Sequence, residues 1–338
     1  MKVLVTGAGG FLGLYVTEQL LARGDQVRTF SRRRYAAFDE LSVESVYADL
    51  RDEAAVRRAC EGVDGVIHTA GVAGIWGKWK YFHGINTLGT EHIVAGCRAH
   101  GVPRLVYSSS PSVTFAGSHQ IDIDESAPYP DKWLCHYPHS KALAEAHVLA
   151  ANSEQLRTSA LRPHLIWGPR DQHLIPRLLD RARTGKLRRV GDGENLIDMI
   201  YVENAAAAHL QALDGLASAP ERVGGNAYFI SQGEPVNCWD WINEILSLAE
   251  LPPVSKSISL PAARRIGAGL EWVYWLLGRT DEPRMTRFLA AQLATSHYFN
   301  IGAARRDFGY QPSIGTDEGM RRLAAAWQAG RGGEPAAG

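Results

Sequence analysis

The segment VTGAGGFLG, residues 5–13, constrains the fold of this chain more than any other segment. It follows the apolar run KVL and precedes a helical pattern over 11–23 that ends at a glycine. Glycines permit a tight turn and a close approach of the backbone to a bound group. Here they stand at Gly7, Gly10 and Gly13. A strand, a glycine turn and a helix in this order predict the start of a βαβ unit.

Strands and helices continue to alternate over the first half of the chain. The β-rich runs predict strands at 2–7, 26–30, 43–50, 64–71, 104–110 and 157–163, and helical patterns lie at 11–23, 85–100 and 137–151. These strands are nearly all apolar, which is typical of a parallel sheet covered on both faces. The predicted fold class is α/β, a Rossmann-type doubly wound parallel sheet.

The second half of the chain has a different pattern, with short helical stretches, loops and many aromatic residues. We predict a Rossmann domain over 1–165 and a smaller substrate-binding region over 166–330. The two are expected to interleave through returning segments near 197–232, where 226–232 resembles a further strand of the first sheet. The glycine-rich tail, 331–338, is predicted to be disordered.

Composition excludes several classes of protein. The chain has 338 residues, of which 45% are apolar, and its 36 basic and 36 acidic residues cancel. This balance argues against a nucleic-acid surface. Four widely spaced cysteines without a CxxC pair predict neither a zinc site nor a disulfide framework. A reducing, cytoplasmic location is the simplest interpretation.

No signal peptide or membrane span is expected. The nearest candidate span, Ile266–Gly278, is too short to cross a bilayer. We expect this segment to be a buried or pocket-forming helix, and an interfacial helix is the alternative.

The glycine turn predicts a dinucleotide site. The N-terminus of the following helix, which begins with Phe11 and Leu12, would offer N–H groups to a pyrophosphate. An acidic residue after the second strand would favour NAD, but Ser31 stands there and is followed by Arg32 and Arg33. Guanidinium groups accept a 2′-phosphate, so NADPH is favoured as the cofactor. The alternative is a solvated basic turn.

Two further strand ends carry candidate cofactor contacts. Asp49 and Leu50 end the third strand, where a carboxylate would accept from the adenine amino group and an apolar side chain would pack on the ring. Ala70 and Gly71 end the fourth strand, and small residues there would let the backbone lie against the ribose and phosphates. Both segments also fit simple tight strand ends.

The segment YPHSK predicts proton chemistry. Tyr137 and Lys141 are four residues apart, so they share one face of a helix. A nearby ammonium and an oxidised nicotinamide ring would lower the pKa of the phenol towards the working pH. Ser110 ends the fifth strand and would hydrogen-bond a substrate carbonyl at the same place.

These motifs together resemble the extended short-chain dehydrogenases/reductases. The carriers are TGxxGxxG, ADL, HTAG, YSSSPSV, YPHSK, LRPHLIWGP and IDMIYVENAAAAHLQAL, in the order of that family. The resemblance implies a catalytic triad of Ser110, Tyr137 and Lys141, with Asn86 in a structural role. It also implies that the backbone from Pro163 to Leu165 contacts the nicotinamide. The missing acid at Ser31 and the Asn at 204 depart from the family pattern.

Within that family the chain is similar to the 3β-hydroxysteroid dehydrogenase-like branch. The carriers are GVAGIWGKWKYFHGINTLGTEHIV and TDEPRMTRF followed by SHYFNIGAARRDFGYQP. The chain looks especially like bacterial reductases that convert branched β-keto acids to β-hydroxy acids with NADPH in olefin biosynthesis. The resemblance implies a lipid-like substrate, a homodimer, and association with neighbouring enzymes of the same pathway.

Three other functions remain open at this point: a 3β-hydroxysteroid or sterol dehydrogenase, a dinucleotide-sensing protein without activity, and a nucleotide-sugar epimerase or dehydratase. His136, His139 and His147 lack metal-ligand spacing, so we expect no metal. Trp76 and Trp79 are expected to line the substrate mouth or to cover the core. Arg284 or Arg287 is a candidate partner for a substrate carboxylate.

Overall fold

The structure is a computed structural model, and it describes residues 1–330. The predicted disordered tail, 331–338, lies outside the described residues. The strands are β1 (Lys2–Thr6), β2 (Gln26–Ser31), β3 (Val43–Tyr47), β4 (Gly65–His68), β5 (Arg104–Ser108), β6 (Gln120–Ile123), β7 (Arg157–Pro163), β8 (Ile166–Trp167), β9 (Arg189–Val190), β10 (Leu196–Ile197), β11 (Ile200–Tyr201), β12 (Ala227–Ile230), β13 (Val236–Asn237), β14 (Ser257–Ile258) and β15 (His297–Phe299).

The α-helices are α1 (Phe11–Ala22), α2 (Glu53–Ala59), α3 (Trp79–Phe82), α4 (Gly89–Ala99), α5 (His136–Ala150), α6 (Leu174–Arg183), α7 (Val202–Ser218), α8 (Pro220–Val223), α9 (Cys238–Leu248), α10 (Leu260–Leu276), α11 (Arg287–Ala294), α12 (Gly302–Phe308) and α13 (Thr316–Gly330). A π-helix, His83–Leu88, leads into α4, and two 3₁₀ turns lie at Ala36–Phe38 and Pro111–Thr114.

The central sheet has seven parallel strands in the order β12-β7-β5-β4-β1-β2-β3. The predicted α/β Rossmann-type fold is therefore confirmed. The order reverses beside β1, which pairs with β2 on one side and with β4 on the other. Ligands of such sheets bind at the carboxyl ends of the strands next to this reversal.

Both faces of the sheet are covered. Val3 and Val5 of β1 point into one core cluster with residues of α1 and α7, whereas Leu4 points into a second cluster with residues of α2 and α4. Alternate residues of a strand face opposite sides, so a strand buried on both faces must be apolar throughout. This explains why the strand runs are so easily recognised in the sequence.

The smaller region is built on a second sheet in the order β13-β10-β15-β6. Its strand β6 comes from the first half of the chain and its other strands from the second. A third core cluster, which contains Trp167, Trp239 and Trp241, packs beside it. Conversely, the strand β12 comes from the second half of the chain but belongs to the central sheet, where it pairs with β7.

Helix α10 corrects one expectation. The side chains of Trp272, Trp275 and Leu276 are 62%, 73% and 60% exposed, so the segment Ile266–Gly278 is not a buried helix. Its buried residues are Ala263, Gly267 and Glu271, which recur every four positions and face the fold. The apolar composition predicted burial, but the small residues rather than the large ones form the packed face. Among residues 1–330, no helix is long and apolar enough to span a membrane.

Candidate active site

The glycine turn between β1 and α1 is tightly folded. Gly7 has a φ of 71°, and its carbonyl oxygen accepts a 2.8 Å hydrogen bond from the N–H of Gly10. A Cβ at Gly13 would lie 2.2 Å from that same oxygen, so only glycine fits there. Among the residues that the structure describes, no side chain caps the N-terminus of α1, where Phe11 and Leu12 follow Gly10. The first turn of α1 therefore offers backbone N–H groups, as an anion site requires.

The three arginines of the basic turn after β2 have different surroundings. Arg34 pairs with Asp39 at 2.7 Å, and the guanidinium of Arg33 lies 5.1 Å from the centre of the Tyr35 ring. Arg32 is exposed and has no ion-pair partner among residues 1–330. It is near enough to Asp49 to contribute to that carboxyl's lowered pKa. Arg32 is therefore the arginine most available to a phosphate.

Ser31 and Tyr35 define the floor of this turn. The Ser31 hydroxyl is buried and donates a 2.8 Å hydrogen bond to the carbonyl oxygen of Arg33, so it shapes the turn. The Tyr35 ring packs directly over Gly9, where an added Cβ would lie 2.1 Å from the ring. Tyr35 was not predicted from the sequence, because a single aromatic residue in a loop carries no pattern.

The carboxylate of Asp49, which follows β3, already has hydrogen-bond donors within the protein. The carboxylate of Asp49 accepts from the Arg51 side chain at 2.8 and 2.9 Å and from the Arg51 backbone N–H at 2.9 Å. Hydrogen bonding from Arg51 holds the pKa of Asp49 at about 2. Leu50 is 6% exposed and packs against Gly89 of α4. The strand end is thus held rigidly beside the proposed adenine position.

Asn86 ties the end of β4 to α5. Its side-chain oxygen accepts from the N–H of Val72 at 2.8 Å, and its NH₂ group donates to the Val72 carbonyl and to Ser140 Oγ, both at 3.0 Å. All of its polar atoms are used by the fold, which agrees with the structural role expected from the resemblance. The backbone at Ala70 and Gly71 lies beside this clamp, and a Cβ at Gly71 would be 3.8 Å from Lys141 Nζ.

Lys141 is buried at the centre of the site. Its Nζ donates a 2.6 Å hydrogen bond to the Ser108 carbonyl oxygen and lies 4.2 Å from the centre of the Tyr107 ring. The side chain is 5% exposed, and burial lowers the pKa of Lys141 to about 7 because the charged form loses its hydration. Glu145, one turn further along α5, opposes this shift.

Tyr137 and Ser110 line a cavity of about 160 Å³ with Pro163, His164 and Leu165. The structure thus brings together the predicted proton donor, the predicted hydroxyl and the predicted nicotinamide-contacting backbone. Leu165 has a φ of 44°, which is rare for a residue other than glycine and marks a constrained turn after β7.

The pKa of Tyr137 is shifted in the protein alone. Burial raises it above the usual value for a tyrosine, and a hydrogen bond with Ser110 opposes the rise. Lys141 does not lower it here, because its ammonium faces the Ser108 carbonyl and the Tyr107 ring. In this structure Tyr137 is therefore a protonated phenol at neutral pH. The expected lowering of its pKa by Lys141 together with an oxidised nicotinamide ring stays a prediction for the complex with cofactor.

Ser112 and Gln292 line the same cavity and were not predicted. The hydroxyl of Ser112 lies 2.8 Å from that of Ser110, so the two form a pair at the cavity wall. Gln292 comes from α11, which follows Tyr137 by about half of the chain. The segment YSSSPSV contains Ser112 two residues after Ser110, but no sequence motif places α11 over the cavity.

His164 and His297 form the far wall of the cavity. His164 Nδ1 donates to the buried carboxylate of Asp198 at 2.7 Å, and the two imidazole rings lie edge to face at 4.9 Å. His297 Nε2 donates to the Gln292 carbonyl oxygen at 2.8 Å, whereas its Nδ1 has no partner among the described residues. Burial lowers the pKa of His297 to about 3, so the ring is neutral and Nδ1 is an open acceptor.

A wide cleft of about 820 Å³ opens between α10 and the loop that carries Trp76 and Trp79. Trp272 and Trp275 also line it, so the pocket-forming part of the expectation for this helix agrees with the structure. Trp76 and Trp79 both border the cleft, and their role at a substrate mouth stays a prediction. Arg287 lines it too, but its Nε pairs with Glu271 at 2.7 Å, and Arg284 is exposed.

A narrower cavity of about 300 Å³ lies between α6, α9 and α11. Its wall is mainly apolar and includes Leu178, Trp241, Ile242 and Leu293. Within residues 1–330, no cluster of three or more His, Cys, Asp or Glu side chains is arranged to hold a metal ion.

Comparison with known proteins gives the family. The profile of the 3-beta hydroxysteroid dehydrogenase/isomerase family matches residues 4–261. The chain belongs to this family. It is 47% identical to the 2-alkyl-3-oxoalkanoate reductase of Stenotrophomonas maltophilia (strain K279a), over 96% of this chain and 99% of the relative. The reductase of the same name from Shewanella oneidensis is 46% identical, over 95% of this chain and 85% of the relative.

More distant members of the 3-beta hydroxysteroid dehydrogenase/isomerase family include human sterol-4-alpha-carboxylate 3-dehydrogenase, decarboxylating, which is 33% identical over 97% of this chain and 88% of its own length. Among solved structures, gox2253 superposes with a TM-score of 0.78 and 26% identity, and covers 98% of each chain. MoeE5 in complex with UDP-glucose and NAD has a TM-score of 0.74 at 23% identity, which shows a common fold. The predicted family, fold and oxidoreductase class are confirmed.

Proposed function

We propose that this chain reduces the ketone of a long-chain 2-alkyl-3-oxoalkanoate to the 2-alkyl-3-hydroxyalkanoate with NADPH, as a step of olefin biosynthesis. The observation that carries the proposal is the cavity in which Tyr137 and Ser110 meet the backbone of 163–165, in a chain 47% identical to a reductase of that name. The adjoining cavities are lined mainly by apolar side chains, which suits a lipid-like substrate.

The residues present fit a dinucleotide. Gly7 and Gly13 pack against backbone atoms of Ala70 and of the turn itself, which keeps the turn tight, and the first turn of α1 offers N–H donors to phosphate oxygens. Arg32, free of an ion pair among the described residues, would hold a 2′-phosphate, which favours NADPH over NADH. When bound, the reduced nicotinamide supplies the hydride. Pro163 and Leu165 would support the ring, and Lys141 would hold its ribose hydroxyls.

The side chains of the site supply the proton. Tyr137 would donate its phenolic proton to the carbonyl oxygen of the substrate as the carbonyl carbon becomes tetrahedral, and Ser110 would donate a hydrogen bond to the same oxygen. Because burial raises the pKa of Tyr137, the phenol is in its donating form at neutral pH. This protonation state suits ketone reduction better than alcohol oxidation.

The second candidate is a 3β-hydroxysteroid or sterol dehydrogenase, which is favoured by the sterol dehydrogenases at 32–36% identity. A homologous series of 3-keto acids, with and without a 2-alkyl branch, distinguishes the two when it is assayed beside a 3β-hydroxysteroid. Each buried methylene adds up to about 0.8 kcal/mol, so kcat/KM should rise steeply with chain length. Faster turnover of the steroid, or no dependence on chain length, would favour the second candidate.

We also propose the cellular setting and the domain division expected from the sequence. The four cysteines are free in the structure, which supports a reducing, cytoplasmic location. Leu88 before α4 and Leu143 of α5 are 39% and 40% exposed, which supports a homodimer, and sedimentation velocity would test it. Association with neighbouring enzymes of the pathway would appear on co-purification. Limited proteolysis would test the division at residue 165.

A further inference from the structure

Two apolar cavities lie on different sides of the catalytic cavity. The narrow cavity shares Leu165, Gln292 and His297 with it, so the two adjoin at these side chains. The wide cleft is lined by His136 and Arg287, which precede Tyr137 and Phe288 of the catalytic cavity directly in the chain. A group bound at Tyr137 is therefore next to both spaces.

A small apolar cluster lies at the boundary between the wide cleft and the catalytic cavity. Phe115 and Phe288 line the catalytic cavity and pack in one cluster with Leu134 and Cys135, which line the cleft. Ile75 belongs to the same cluster and is shared by the wide cleft and the narrow cavity. The wide cleft and the narrow cavity therefore lie on different sides of this cluster, and they adjoin at Ile75.

The charged side chains that border these spaces are largely paired with each other. In the narrow cavity, Arg177 and Arg181 both face Glu282. In the wide cleft, Arg287 pairs with Glu271, and Arg279 pairs with Asp281. The charges that line the narrow cavity are therefore compensated. In the wide cleft Lys78 has no ion-pair partner among residues 1–330, but its side chain is exposed to solvent and the rest of the wall is mainly apolar. Both suit hydrocarbon.

We propose, on the basis of the function proposed above, that the enzyme holds a two-chain substrate with one alkyl chain in the narrow cavity and the other in the wide cleft. The ketone and the carbons that carry the chains then lie beside Tyr137 and Ser110. A rigid fused-ring substrate cannot divide around the cluster at Ile75, whereas a branched acyl chain can. The site thus favours branched acyl chains over rigid fused rings, in addition to favouring apolar substrates.

The test blocks each space separately. Leu174→Trp adds bulk to the narrow cavity, and Ala268→Trp adds bulk to the wide cleft. Asp180→Trp on α6 and Ile266→Trp on α10 are matched controls, because neither residue lines a cavity described here. The substrates are four 2-alkyl-3-oxoalkanoates that combine a short or long chain at C2 with a short or long chain at C3. The readout is kcat/KM with NADPH.

Each blocking variant should lose at least about tenfold in kcat/KM on substrates that are long at one position, since a displaced methylene costs up to about fourfold. The two variants should penalise opposite positions, and each should lose less on the doubly short substrate than on the substrate that is long at its blocked position. The controls should follow the wild type throughout.

The proposal is overturned if both variants penalise the same chain, if neither does, or if activity on the doubly short substrate falls as much as on the long ones. Should Leu174→Trp fail to fold, Leu187→Trp fills the same cavity. A wild-type enzyme that reduces none of the four substrates would refute the proposed function itself. Reduction of all four by the wild type without opposite chain effects in the variants would refute only the division of chains.

Discussion

The ammonium nitrogen of Lys141 lies 4.2 Å from the centre of the Tyr107 ring and 2.6 Å from the Ser108 carbonyl oxygen. Two contacts from β5 thus position a side chain of α5. A cation over an aromatic face is stabilised, but here the cation is also buried, and burial is the larger effect. The site holds a lysine whose charge state changes near neutral pH.

Lys141→Met should raise the stability of the protein while it abolishes activity. Methionine removes the cost of burying the ammonium, which below pH 7 exceeds the loss of one hydrogen bond to the Ser108 carbonyl oxygen, worth roughly 1.5–3 kcal/mol. The native pKa of about 7 lies below the unfolded value, so the wild-type free energy of unfolding rises with pH from about 7 to about 10.5. The advantage of the variant in Tm should be largest below pH 7 and should shrink towards pH 10. An advantage that does not change with pH would contradict the lowered pKa.

The pH dependence of catalysis should reflect the raised pKa of Tyr137. Because the phenol stays protonated, kcat/KM for ketone reduction should show no loss from this group until above about pH 10. Alcohol oxidation needs the phenolate and should rise with pH over the same range. Tyr137→Phe is the control: it should reduce kcat more than tenfold and leave NADPH affinity within a few-fold. If kcat/KM for ketone reduction fell with rising pH already below about pH 9, neighbouring charge would affect the pKa of Tyr137 more strongly than burial does.

Arg32→Ala should weaken NADPH more than NADH. Loss of a hydrogen-bonded phosphate contact costs about 1.5–3 kcal/mol, or roughly 10- to 150-fold in affinity. Arg34→Ala is the matched control, because that guanidinium is held by Asp39. Fluorescence titration of both cofactors measures the effect. Equal losses for NADPH and NADH in Arg32→Ala would assign the phosphate to another residue, with Arg33 next.

Gly267→Ala and Gly269→Ala should have opposite effects on Tm. A Cβ at Gly267 would lie 2.7 Å from the carbonyl carbon of Thr286, so α10 would have to move away from α11, at a cost of about 1–3 kcal/mol. A Cβ at Gly269 meets no atom within 4 Å, and alanine there should stabilise the helix by about 0.5–1 kcal/mol. Thermal unfolding of the pair checks both. Two variants of equal stability would mean that α10 is not packed through Gly267.

The sequence predicted the parts of this protein that depend on local order. Short segments of the sequence contain the strand runs, the glycine turn and the Tyr137–Lys141 spacing. The sheet and the catalytic cavity could therefore be predicted from them. His297 and Gln292 could not, because they reach the cavity only through tertiary packing of the second half of the chain. The packed face of α10 was also missed, because the composition of a helix shows how apolar it is and does not show which face packs against the fold.

The pKa shifts of Tyr137 and Lys141 in the protein alone depend on tertiary packing in the same way. Proximity of Lys141 and Tyr137 along a helix suggested that one charge would tune the other, but burial acts on both groups and depends on everything packed around them. The spacing in the sequence identified the pair. The desolvation of each member was set by β5 and by the aromatic ring of Tyr107.

The place of β12 beside β7 has a consequence for how the chain is made. The strand β7 ends at Pro163, and its neighbour begins at Ala227. A ribosome adding about 5–20 residues per second needs several seconds to supply the missing strand. Throughout that interval the nascent chain presents a bare edge of parallel sheet, which is prone to pair with other strands. A gene fragment that stops near residue 165 would make this state permanent, so we expect it to be recovered in inclusion bodies.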